Sequence, residues 1–115
     1  MKHKKYSLFV GRWQPFHRGH EALIRKVLAE GKNVLIAIRD TNKSKQNPYN
    51  LSDRFKMIRK VFPDTKRVEV ISIPDIDEIV YGREVGYKIR ELKLPKKIEK
   101  ISATKIRNKK YRIIN

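Results

Sequence analysis

The chain of 115 residues contains no cysteine. A disulfide framework, a Cys-ligated zinc site and a thiol nucleophile are therefore excluded, and a reducing, cytoplasmic setting is expected. Long apolar runs are missing too. The longest hold a handful of residues, against the roughly 20 that a membrane-spanning helix needs, so no membrane partner is expected. A basic start at residues 1–5 imitates a signal sequence, but the apolar stretch after it is short and stops at Gly11 and Arg12. The sequence reads as soluble and unprocessed. With five glycines and five prolines it shows no linker, internal repeat or low-complexity tract. Acidic residues are also few: 12 Asp and Glu face 29 Lys and Arg, a formal net charge of +17.

What is present is enough to fold. Hydrophobic residues make up 39% and charged residues 36%, the latter above the ~25% usual for soluble domains. The length fits one domain over residues 1–115. Basic residues concentrate at 88–112, where Lys88, Arg90, Lys93, Lys96, Lys97, Lys100, Lys105, Arg107, Lys109, Lys110 and Arg112 face only Glu91 and Glu99. Charge of this kind suits a solvated basic face, small phosphorylated ligands or polymeric nucleic acid. No aromatic platform of the RNA-recognition type accompanies it, so nucleic acid is a secondary reading.

The apolar pattern alternates between strands and helices. Tyr6 to Val10 reads as a strand ended by Gly11, and Leu23, Ile24, Val27 and Leu28 as a helix capped near Gly31. Val34 to Ile38 is a continuous apolar run, the mark of a strand covered on both faces. Leu51, Phe55, Ile58 and Phe62 give a second helix, capped by Asn50 or Ser52. Val68 to Ile73 is a third strand and Ile79 to Tyr81 a short fourth. Val85, Ile89 and Leu92 space a third helix, and residues 98–102 form a last strand before a basic helix from about Ala103. This order predicts an α/β fold: a Rossmann-like parallel sheet of about five strands with helices on both faces.

In such a sheet, ligands bind beyond the carboxyl ends of the strands. Gly11-Arg-Trp-Gln-Pro-Phe-His-Arg-Gly-His20 occupies that place, leaving the first strand and entering the first helix. It lacks the Gly-Lys-Ser/Thr ending of a P-loop and the three glycines of a dinucleotide fingerprint. It does set two imidazoles three residues apart at a helix start, where free amides and the helix dipole favour phosphate. Gly19 permits close approach, and His17 and His20 can donate hydrogen bonds. A surface or capping pair is the plainer alternative. The spacing is wrong for a His-Glu-x-x-His metal pair, and no metal-holding side chains are expected. Arg12, Lys43 and Lys45 stand near the first two strand ends, where they can clamp an acceptor phosphate or simply be solvated. Trp13 can stack on a base or pack. Arg54 can reach phosphate or pair on the surface, and Asp75 and Asp77 can meet a ribose or cap a helix. Arg83 is a further acceptor candidate.

This segment resembles the signature of the nucleotidyltransferase superfamily with the His-x-Gly-His motif. In its Gly-Arg-aromatic-Gln-Pro-Phe-His form it is most similar to archaeal-type nicotinamide-nucleotide adenylyltransferases. Asn47-Pro-Tyr-Asn-Leu-Ser-Asp-Arg54 and Ile101-Ser-Ala-Thr-Lys-Ile-Arg107 resemble two further motifs of those enzymes, in the same order. Ala103 departs from them, standing where glycine is common. The resemblance implies transfer of a nucleoside monophosphate from an NTP, ATP rather than CTP, to a small phosphorylated acceptor such as nicotinamide mononucleotide, with release of pyrophosphate. A CTP-using enzyme and a non-catalytic RNA-binding module are the rivals. Mg²⁺ would accompany the NTP, and a homo-oligomer is expected. His17, His20, Lys43 and Arg107 would carry the chemistry. Gly11, Arg12, Trp13, Gln14, Phe16, Gly19, Asp75, Ser102 and Thr104 would join them around the nucleotide. Arg12, Lys43, Lys45, Arg54 and Arg83 would face the acceptor.

Overall fold

Five elements carry the apolar pattern in a computed structural model that describes residues 4–83 and 86–93. They are β1 (Tyr6–Gly11), α1 (Arg18–Ala29), β2 (Asn33–Asp40), α2 (Leu51–Val61) and β3 (Val68–Pro74). The strands are parallel in the order β1-β2-β3, with Phe9 opposite Ile36 and Ile36 opposite Val70. α1 stops at its C-cap Glu30, after which Gly31 takes φ +81°, a conformation that costs glycine little. Asn50, one of the two expected caps, starts α2: its side chain accepts the Asp53 amide at 2.7 Å.

Along β2, Val34, Ile36 and Ile38 point to one side and are fully buried. They share a core with Ile24 and Val27 of α1, Ile58 of α2, and Trp13, Phe16, Phe62 and Val68. Each aliphatic side chain buried there contributes about 1.5–3 kcal/mol. Both described helices therefore cover the same face. The expected helices on both faces are found on one face among the described residues, because right-handed crossovers stepping steadily from β1 to β3 return to one side. The register brings Leu8, Leu35 and Glu69 together on the other face, with Val10, Ala37 and Ile71 beside them. Leu8 and Ile71 are exposed there.

Three expectations change. Three strands are seen among the described residues, and Ile79 to Tyr81 is not one of them: its side chains are exposed and no strand lies beside it to supply hydrogen bonds. Residues 86–93 form no helix. Gly86 sits at φ +79°, outside the helical region, and Tyr87 and Ile89 are exposed. This segment is fastened instead by Arg90, which binds both carboxylate oxygens of Glu30, and by Leu92 against the core. On α2, Phe55 is exposed while Arg54 is buried beside Ile58, the reverse of the apolar pattern. The expected strand at 98–102 and the helix after it lie outside the described residues. Among the described residues, no helix is long and apolar enough to cross a membrane.

Candidate functional site

The site is built where β1 hands over to α1. At Gly11 the strand ends beneath the Trp13 indole, so closely that a Cβ would stand 2.9 Å from Trp13 Cε2. Trp13 takes φ +54°, which costs a non-glycine residue roughly 1–2 kcal/mol. Two contacts hold it there. Its indole N–H donates to the Ala37 carbonyl at 3.1 Å, and its ring is packed to 6% exposure. Gln14, also buried, pairs with the backbone of Tyr49 like a strand: its Oε1 accepts the Tyr49 amide and its Nε2 donates to the Tyr49 carbonyl, both at 2.9 Å. The β1–α1 loop is thus pinned to β2 and to the β2–α2 loop.

On this corner sit the two imidazoles. His17 is the N-cap of α1; its Nδ1 accepts the Gly19 amide at 3.0 Å, while His20 Nδ1 accepts the His17 amide at 3.1 Å. The capping is reciprocal, with His20 in the place that Glu or Gln usually fills. An imidazole that accepts at Nδ1 carries its proton on Nε2, so both rings are neutral hydrogen-bond donors at that nitrogen. Their geometry agrees. The rings stack with centroids 3.7 Å apart, and two cations at that distance would repel strongly. Burial lowers the pKa of His17. Burial first, and the neighbouring His17 second, lower that of His20 from 6.5 to about 3. His20 also stands edge-on to Trp13 at 4.7 Å and stacks near Phe16 at 5.5 Å, so the aromatic core sets its orientation.

Several cations stand at or just past the strand ends. The exposed Arg12 donates to Asn47 Oδ1 at 3.3 Å, linking it to the β2–α2 loop. Lys43 and Lys45, in the same loop, are exposed with no hydrogen bond or ion pair among the described residues. Asp75 is engaged by Arg39, whose Nη2 lies 2.7 Å from its carboxylate and also donates to the Ile76 carbonyl. Arg54 turns inward onto backbone carbonyls rather than outward. Arg83 is exposed and, among the described residues, makes no hydrogen bond or ion pair with the histidines.

The structure therefore brings together Gly11, Arg12, Trp13, Gln14, Phe16, His17, Gly19 and His20. Trp13, Gln14 and Phe16 shape the corner, being 6%, 1% and 9% exposed, which leaves the indole little surface for a base. Sequence reasoning missed Arg39, and it gave no role to Asn47 or the Tyr49 backbone although both lie in the motif segment 47–54. Arg39 carries a signal, as a cation at the carboxyl end of a central strand; a backbone partner carries none. Ser102, Thr104 and Arg107 lie outside the described residues. No group of three or more His, Asp or Glu able to hold a metal occurs among the described residues. The two imidazoles do not fit one either, since Nδ1 is occupied and Nε2 protonated.

Comparison with known proteins matches this arrangement. Residues 8–79 match the cytidylyltransferase-like family. The chain is 33% identical to the nicotinamide-nucleotide adenylyltransferase of Methanococcus aeolicus, over 95% of its own length and 77% of that relative's. With the enzyme of the same description from Thermococcus onnurineus it shares 35% identity over 64% of its length, but spans only 42% of that relative. The crystal structure of a bifunctional NMN adenylyltransferase/ADP ribose pyrophosphatase from Francisella tularensis, in complex with AMP and a manganese ion, superposes with a TM-score of 0.56 at 30% identity. That superposition covers 64% of this chain and 23% of the other. With a matched family model over more than half its residues, and an imidazole pair seated at the junction of β1 and α1, the chain belongs to the cytidylyltransferase-like family, among relatives of the archaeal nicotinamide-nucleotide adenylyltransferase type.

Proposed function

We propose that the protein transfers the adenylyl group of ATP to the phosphate of a nicotinamide-mononucleotide-like acceptor, releasing pyrophosphate. The observation that carries this reading is the pair of neutral imidazoles held with Nε2–H donors at the N-terminus of α1. In this reaction an oxygen of the acceptor phosphate attacks the α-phosphorus, and the bond from that phosphorus to the α–β bridging oxygen breaks. Negative charge then grows on the bridging oxygen and on the departing pyrophosphate. A neutral donor fixed beforehand stabilises that charge without reorganising, and without giving up a proton. His20, the more buried ring, is assigned to the α-phosphate and its bridging oxygen; His17 is assigned to the outer phosphates. Arg12, Lys43 and Lys45 are assigned to the acceptor phosphate, with Ser102, Thr104 and Arg107 on the β- and γ-phosphates. Mg²⁺ belongs to this scheme as part of the nucleotide complex.

The relatives support adenylyl transfer as the activity, and the AMP complex of the structural neighbour supports an adenine nucleotide. The test is pyrophosphate release from ATP and from CTP across a panel of phosphomonoester acceptors. Turnover with ATP and nicotinamide mononucleotide is expected. Turnover with CTP alone would reverse the choice of nucleotide. No turnover with any pair, together with tight and steeply salt-dependent RNA binding, would remove the enzyme reading.

A further inference from the structure

Arg54 is the only charged side chain buried among the described residues. It stands in the first turn of α2, and its Nη1 and Nε donate to three backbone carbonyls from three parts of the chain, while Nη2 is buried without a hydrogen-bond partner. Nη1 lies 2.8 Å from the carbonyl of Arg12, just past β1, and 2.8 Å from that of Arg39, near the end of β2. Nε lies 3.2 Å from the carbonyl of Asn50, the cap of α2.

We infer that Arg54 is a positioning residue for the two imidazoles, acting through the Arg12 carbonyl. The peptide it grips leads directly into Trp13, the residue at φ +54°. The Trp13 ring in turn meets His20 edge-on at 4.7 Å. Displacing the Arg12 carbonyl would swing the indole and with it the ring whose Nε2–H must meet the reacting phosphate. Only a planar fork can hold the carbonyl just past β1 and one of β2 from one nitrogen while another bonds the helix cap; an ammonium on a flexible stem does not reproduce that fork. The sequence alone placed Arg54 near the acceptor. Its full burial and its bonds to carbonyls assign it a different task.

The kinetic half of this inference rests on the adenylyl-transfer reading, so the test has a second readout. Arg54→Lys is compared with Arg59→Lys, a control in which the parent Nη1 also bridges two carbonyls, those of Phe62 and Val68, at the far end of α2. In Arg54→Lys, kcat is expected to fall about ten- to a hundredfold while KM for the acceptor stays within about twofold, the scale of a small misplacement at a reacting centre. The imidazole ¹⁵N resonances of His17 and His20 should shift or broaden. In Arg59→Lys only thermal stability should drop. Arg54→Gln, which removes the buried charge, is read in the same way should the lysine variant not fold. A raised acceptor KM with kcat kept would make Arg54 a ligand and overturn the inference. So would lowered stability with kcat per folded molecule and both imidazole signals unchanged. If the parent protein shows no adenylyl transfer, the proposed function falls, and the imidazole signals alone still decide the role of Arg54.

Discussion

At the scale of single residues, the proton of His20 decides what the site can do. Its Nδ1 is committed to the His17 amide, which leaves Nε2–H as a donor rather than a base. His20→Ala should lower kcat by orders of magnitude while ATP binding, measured by calorimetry, is largely kept, since the lost bond belongs to the transition state. Normal turnover in that variant would refute the assignment. The depressed pKa also fixes a stability window. In the unfolded chain His20 takes up a proton below about pH 6.5, in the folded protein only near 3. Between those values the unfolded state binds more protons, so stability is complete above pH 6.5 and declines as the pH falls toward 3. Urea unfolding at pH 7 and pH 4.5 should show a smaller acid loss in His20→Asn than in the parent; an equal loss would mean that the ring is not titrating as its burial requires.

At the scale of elements, the β1–α1 corner and the start of α2 act together. Gly11→Ala puts a carbon where the indole lies, 2.9 Å from Cε2, so the ring must move and its bond to the Ala37 carbonyl must lengthen. The protein has a single tryptophan, which makes the movement visible. A red-shifted fluorescence maximum together with reduced turnover is expected; an unchanged emission spectrum would show that the corner has room to spare. At the other element the Asn50 side chain caps α2 through the Asp53 amide. Asn50→Ala should cost about 1 kcal/mol in chemical denaturation, the usual value of such a cap. The helix and strand assignments themselves were readable from periodicity: α1, β2, α2 and β3 stand where the apolar pattern predicts. The two that failed, Ile79 to Tyr81 and the helix through residue 89, depended on what lies beside them. A short apolar run becomes a strand only against another strand.

At the scale of the whole molecule, the question raised by the +17 charge has a partial answer. Several guanidiniums serve the backbone. Arg54 and Arg59 bind carbonyls around α2, and Arg67 binds those of Leu28 and Lys32 where α1 ends. Arg39 joins β2 to the segment after β3. The Arg90–Glu30 pair is of another kind. It is exposed, lies at the C-terminal end of α1 and therefore at the pole opposite the imidazoles, and keeps the Glu30 carboxyl below its ordinary pKa. Its contribution is present above pH 4.5 and fades as the pH falls through the lowered value. Because exposed pairs are screened, Arg90→Gln should barely move the thermal midpoint at high salt and should leave kcat unaltered. A large drop in kcat would connect the two poles in a way that the fold does not suggest.

The sequence by itself determined the alternation of strands and helices, the place of the loop between β1 and α1, and the residue types there that are proposed to handle phosphate. Periodicity and local capping are encoded over a few neighbouring residues, and so they can be read in a line. Only the tertiary structure decided which of the candidate groups are buried against the backbone and which remain at the surface. Trp13, Gln14 and Arg54 could each have met substrate on sequence grounds. Their partners, the Ala37 carbonyl, the Tyr49 backbone and the carbonyls of Arg12 and Arg39, lie 15 to 42 residues away along the chain. Backbone carbonyls leave no trace in residue identity. The use of a buried guanidinium therefore becomes visible only when the strands stand side by side.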